Sequence, residues 1–213
     1  MYHCSEQFVA IIIDAYKNID LGFGNAMKAI FLDRDGTINI DKNYLYRIED
    51  YEYLDGAKEA LRLFQNAGYM LIIITNQSGI ARGFFSEEEY KKLEYWLSED
   101  LEKSGIHITA TYYCPHLPGS MNKHYDVDCC CRKPKLGMFE KAIKEYEIDL
   151  EGSIAIGDKR RDVSICDSDI GKGMLGFLLY AEDSCQDGNI ISIKGGLLEV
   201  AKRIVGCEYA KVD

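Results

Sequence analysis

The chain has 213 residues, 47% of them hydrophobic, and a formal net charge of −10. That length suits one domain with a full core, and that acidity repels the phosphates of nucleic acid, so no nucleic-acid partner is expected. No apolar run approaches the roughly 20 residues that cross a bilayer; Phe8–Ile13 is too short and lacks a cleavage pattern, so no signal peptide, no membrane partner and a cytoplasmic chain are expected.

Residues 1–26 fit no βα unit and are read as an extension, leaving 27–213 as the domain. Ala29-Ile30-Phe31-Leu32 reads as a buried parallel strand, followed at once by Asp33, Asp35 and Gly36. Gly56–Asn66 has helical apolar spacing at Ala57, Ala60, Leu61 and Phe64. Tyr69–Thr75 is a second buried strand. Ser86 and Glu89 form a capping box that opens a long helix through about Lys103. Ile108–Cys114 is a third strand, Met138–Glu147 a helix, and Ser153–Gly157 a fourth strand running into Asp158. Met174–Tyr180 is a fifth strand and Gly196–Ile204 a closing helix. Alternation of this kind predicts an α/β fold, a parallel sheet with helices on both faces.

Ligands bind at the carboxyl ends of strands in such sheets, and four signals fall there. Asp33 and Asp35 suit a nucleophilic carboxylate, a neighbouring acid/base and a hard metal ion. Thr75-Asn76-Gln77-Ser78-Gly79 offers a hydroxyl and loop amides that can cradle phosphate. Arg132-Lys133 can neutralise a transferring phosphoryl group. Asp158, after the fourth strand, can complete an oxygen-ligand set with Asp33. Read one at a time, each also fits a turn, a solvated basic pair or a helix cap.

Together, in this order, the four resemble the motifs of the haloacid dehalogenase superfamily of phosphohydrolases over roughly Met27 to Val205. The resemblance implies a Rossmann-like three-layer sandwich with a parallel five-stranded sheet. It implies Asp33 as nucleophile, Asp35 as general acid/base, and Thr75 and Lys133 as holders of the phosphoryl oxygens. It implies Mg²⁺ held by Asp33, the backbone carbonyl of Asp35, and Asp158. No large insertion separates the first two motifs, so no large cap domain and an open site are expected.

Eight cysteines could mean disulfides, but Cys114, Cys129, Cys130 and Cys131 crowd around one loop and no export signal is present. A reduced compartment with a metal site is the better reading. Cys114 and His116 form a CxH pair, Cys129 and Cys131 a CxC pair, and these four ligands suit a closed tetrahedral Zn²⁺. The side chain of Cys130 should then point away. Such a staple would fix the adjoining Arg132-Lys133 in place.

The loop, with FLDRDGTIN, TNQSGIARG and GDK, resembles the D-glycero-D-manno-heptose 1,7-bisphosphate 7-phosphatase family. Histidinol-phosphate phosphatases share most of these motifs and are the alternative, as is another small sugar phosphatase; a non-catalytic phosphate-binding module is the distant one. The resemblance implies a small phosphorylated sugar as partner, a monomer, and substrate contacts from Arg34, Asp41, Lys42, Asn43, Tyr44, Asn76, Gln77, Ser78, Arg132 and Lys159. Arg160-Arg161-Asp162 departs from that family's usual residues, and residues 1–26 lie outside its pattern.

Overall fold

A computed structural model describes residues 27–209, so the expected extension 1–26 lies outside the described residues. Seven strands form one sheet: β1 (Lys28–Leu32), β2 (Met70–Asn76), β3 (Ala110–Cys114), β4 (Asp149–Gly157), β5 (Leu175–Leu178), β6 (Cys185–Asp187) and β7 (Ile190–Ser192). Their order is β3-β2-β1-β4-β5-β7-β6, and only the β6–β7 pair is antiparallel. The expected five strands are thus corrected to seven. The additional two form a hairpin of three residues per strand around Gly188, whose φ of +58° suits the tight turn. All of β6 is exposed and polar, so no hydrophobic alternation marks it in the sequence.

Among the described residues five α-helices flank the sheet: α1 (Ala57–Asn66), α2 (Ser78–Ala81), α3 (Glu87–Lys103), α4 (Gly137–Tyr146) and α5 (Leu197–Tyr209). The capping box at Ser86 is formed, with Glu89 N–H on Ser86 Oγ at 3.1 Å and Ser86 N–H on Glu89 Oε2 at 2.7 Å.

The pleat of β1 divides the core. Ile30 and Leu32 face one cluster with Leu61 and Phe64 of α1, Leu97 of α3 and Val200 of α5. Ala29 and Phe31 face the other, with Met138 and Phe139 of α4. Successive side chains on a strand point to opposite faces, so a short apolar run can feed both cores at once. This gives three layers. Among the described residues no helix is long and apolar enough to cross a membrane.

The strands β3-β2-β1-β4-β5 run side by side in parallel, and the chain reverses its direction of winding between β1 and β4. A crevice opens outside the carboxyl ends of the strands at such a switch point. Asp33, Thr75 and Asp158 stand there, after or at the ends of β1, β2 and β4.

Candidate active site

Asp33 leaves β1 with its N–H on the carbonyl of Ile156 in β4, 3.0 Å away. Its carboxylate is buried against the ammonium of Lys133, which donates to Asp33 Oδ1 at 2.7 Å and to the carbonyl of Ile74 at 2.6 Å. Asp162 is the third partner, 2.7 Å from the same ammonium. Burial alone would lower the pKa of Lys133, but Asp33 and Asp162 more than offset it and raise it. Burial pushes Asp33 up to about 7, against the lowering pull of Lys133.

Lys133 is held from its backbone as well. Asn76, closing β2, accepts from the Lys133 N–H at 3.0 Å and donates to its carbonyl at 3.1 Å. One side-chain amide therefore fixes the loop at both ends of a single residue.

Asp35 is surrounded by donors. Arg34 Nη2 lies 3.0 Å from each of its oxygens, Asn39 donates to Oδ1 at 2.9 Å, and Gln77 donates to Oδ2 at 2.9 Å. Burial would raise its pKa, yet the Arg34 charge and these hydrogen bonds bring it below the ordinary value. The general acid role expected for Asp35 needs a proton on its carboxyl. The protein's own field runs the other way, because every partner of Asp35 is a donor. This geometry suits the base form of Asp35.

Asp33, Asp158 and Asp162 place oxygens within 4.8 Å of one another. Burial raises the pKa of Asp158, and its Oδ1 is buried without a hydrogen-bond partner. A hard cation suits three crowded carboxylates and an orphaned oxygen. Gly36 makes the close approach possible: its φ is +84°, and a Cβ there would lie 2.5 Å from Asp158 Oδ2.

At the end of β3, Cys114, His116, Cys129 and Cys131 are all buried, with ligand atoms within 4.8 Å of one another. Sγ separations are 3.5 Å for Cys114–Cys129, 3.2 Å for Cys114–Cys131 and 3.0 Å for Cys129–Cys131. His116 Nδ1 lies 3.3 Å from Cys131 Sγ. Three sulfurs and an imidazole form a closed soft set with the composition of a structural zinc site. Cys130 is exposed and stands outside it.

A cleft of about 250 Å³ is lined by Asp33, Asp35, Thr75, Asn76, Gln77 and Ser78. Asp41, Asn43, Tyr44, Arg132 and Lys159 line it as well. Arg132 donates to the carbonyl of His116 at 3.1 Å, tying the cysteine cluster to the rim. Lys159 bridges Asp158 at 3.0 Å and Asp41 at 3.3 Å.

Two expected substrate contacts are placed elsewhere. Arg34 is fully buried beneath Asp35, paired with Glu94 of α3 at 2.9 Å. Lys42 pairs with Glu52 at 3.1 Å and does not line the cleft. Conversely, Arg82 and Arg161 line the cleft without having been picked out as site residues. The signal for Arg161 was its departure from family habit. Arg82 stands 5.7 Å from the Tyr44 ring, which packs edge-on against Phe84.

A family profile described as "Polynucleotide kinase 3 phosphatase" matches residues 28–170. The chain is 47% identical over 137 residues to a D-glycero-beta-D-manno-heptose-1,7-bisphosphate 7-phosphatase of Haemophilus ducreyi, covering 64% of this chain and 75% of that one. It is 48% identical over 145 residues to a D-glycero-alpha-D-manno-heptose-1,7-bisphosphate 7-phosphatase of Campylobacter jejuni, covering 68% and 79%. Its fold is similar to that of the D,D-heptose 1,7-bisphosphate phosphatase of B. bronchiseptica, solved with magnesium and phosphate: TM-score 0.71, 28% identity, covering 84% of this chain and 99% of that one. The chain is therefore a phosphatase of the haloacid dehalogenase superfamily and belongs to the family that this profile and these heptose bisphosphate phosphatases define.

Proposed function

We propose that the chain removes the 7-phosphate of D-glycero-D-manno-heptose 1,7-bisphosphate through an aspartyl phosphate on Asp33. The observation that carries this reading is the cleft itself. Buried Asp33, paired with buried Lys133, lines it together with Arg82, Arg132, Lys159 and Arg161, all four more exposed. One phosphate then reacts at Asp33 while the second meets these cations. Relatives act on either anomer by name, so the anomer stays open.

Asp33 attacks phosphorus in line, and the bond to the sugar oxygen breaks as the new P–O bond forms. Lys133 and Thr75 meet the phosphoryl oxygens as charge spreads over them. Asp35 gives a proton to the leaving sugar oxygen, then takes one from the water that cleaves the aspartyl phosphate. The donor-rich setting of Asp35 suits that second half. For the first half it must hold a proton, so at least one of its oxygens must give up a donor.

Mg²⁺, the ion in the B. bronchiseptica complex, would be held by Asp33, Asp158 and the Asp35 carbonyl, where it offsets repulsion between the phosphate and the carboxylates. Zn²⁺ would be held by Cys114, His116, Cys129 and Cys131 and would serve structure. Reduced thiols of this kind fit a cytoplasmic enzyme. A monomer without a large cap, its domain spanning 27–213, is part of the same proposal.

The test is a side-by-side comparison of rates with both heptose bisphosphate anomers, a heptose monophosphate and histidinol phosphate. The bisphosphate of one anomer should be fastest. A preference for histidinol phosphate over both anomers would move the substrate assignment while leaving the phosphatase chemistry in place.

A further inference from the structure

We propose that Glu94 is a positioning residue for the acid/base carboxyl of Asp35, acting through the guanidinium of Arg34. Glu94 sits in the middle of α3, 3% exposed, and touches no part of the cleft. Its Oε1 accepts from Arg34 Nη1 at 2.9 Å. The opposite edge of the same guanidinium reaches Asp35, through Nη2 at 3.0 Å to both oxygens and Nε at 3.3 Å to Oδ1. Arg34 itself is 0% exposed, with its guanidinium 5.4 Å from the Tyr90 ring.

Burying an ion pair costs desolvation that apolar side chains of similar volume avoid, so such a pair is weak evidence for stability alone. Here one partner continues into the site. A guanidinium is a rigid plane, so pinning one nitrogen fixes the directions in which the others point. Glu94 pins Nη1, and the Nη2–Nε edge is thereby aimed at the carboxyl of Asp35. The Asp35 donors on the loop side, Asn39 and Gln77, come from segments that line or border the cleft. The Arg34 contact is the one anchored in the helical layer. A misplacement of about 1 Å at a reacting group can cost on the order of 10²-fold in rate. Replacing the Glu94 carboxylate with an amide weakens that pin, leaving Arg34 with Asp35 as its one carboxylate partner and the Leu45 carbonyl, 3.3 Å from Nη2, as a further acceptor, so the plane is held less firmly.

The inference rests on the reading that Asp35 protonates the leaving oxygen, and the experiment separates the two. An alkyl phosphate such as glycerol phosphate needs that proton, whereas 4-nitrophenyl phosphate loses a phenolate that does not. The quantity read is kcat/KM, which covers steps through formation of the aspartyl phosphate. Asp35→Asn tests the reading and should lose far more on the alkyl ester than on the aryl ester. Glu94→Gln tests the inference and should lose at least ~10-fold on the alkyl ester and less than ~3-fold on the aryl ester, in line with general acid catalysis being worth about 10²–10⁴-fold. In an Asp35→Asn background the Glu94→Gln change should cost nothing further, since both act through one group. If Asp35→Asn discriminates between the esters while Glu94→Gln affects them equally or not at all, the inference is overturned and the reading stands. If Asp35→Asn does not discriminate, the reading itself fails. Should Glu94→Gln be unfolded at the assay temperature by thermal melt, Arg34→Lys makes the same comparison, keeping the charge and both carboxylates but not the fork; equal losses on the two esters would overturn the proposal there too.

Discussion

Lys133 shares one ammonium among Asp33, Asp162 and the Ile74 carbonyl, and Arg132 beside it faces the open cleft. The two neighbours should therefore fail differently. Lys133→Ala should lower kcat for a heptose bisphosphate and an aryl phosphate alike, because it acts on the transferring group. Arg132→Ala should raise KM for the bisphosphate more than for the aryl phosphate, because a contact made equally in ground and transition states is uniform binding. Equal KM losses on both substrates would remove Arg132 from recognition. Asp33→Asn keeps the shape but removes the attacking charge; turnover should fall by more than ~10³-fold, and near-normal activity in a clean preparation would falsify the covalent route. Asp33, Asp35, Thr75, Lys133 and Asp158 stand out in the sequence because each follows or closes an apolar run, or lies in a short motif. The roles of Arg34 and Glu94 do not, since their contact joins residues 60 apart and depends on which face of α3 turns inward. Asp162 was hidden for the same reason, its partner Lys133 being in another loop.

At the scale of elements, the cysteine loop hangs between β3 and α4 and is tied to α3 as well. Glu87, in the first turn of α3, accepts from Tyr113 of β3 and from Tyr125 in the loop, the latter at 2.9 Å. These hydroxyls and Lys91 outweigh the effect of burial and lower the Glu87 pKa. A carboxyl whose pKa is depressed on folding adds stability above its unfolded value of roughly 4.3, and that stability is lost as pH falls through the lower folded value. Glu87→Gln should thus cost about 1 kcal/mol near pH 7 and progressively less below pH 4, read as the difference in thermal melts across pH. The cysteine loop and the carboxylates at the strand ends predict two classes of metal. Mild EDTA should abolish activity, Mg²⁺ should restore it, and Zn²⁺ should stay bound throughout. Far less than one Zn per chain in protein purified without chelators would count heavily against the cysteine set. The five long strands were legible from their apolar runs, with ends shifted by a residue or a few. The β6–β7 hairpin was not, although Gly188-Asn189 is a known turn signal, because three exposed residues carry no period.

For the whole molecule, all motif residues lie within 33–162, inside the described domain. A chain beginning at Met27 carries every motif residue and should therefore fold and keep turnover within about two-fold. A folded but inactive truncated chain would show that residues 1–26 shape the site. The sheet order has a further consequence for synthesis. The central strand β1 is made first, yet its neighbour β4 is made more than a hundred residues later, and the Ala29 N–H waits for Ser153 Oγ across 124 positions. Contacts of such long separation form late, because the intervening loop must be closed first. On the ribosome, Asp33 has neither Lys133 nor Asp158 beside it until most of the domain has emerged. A nascent chain then carries the nucleophile without its partners, so hydrolysis reports completion of the fold.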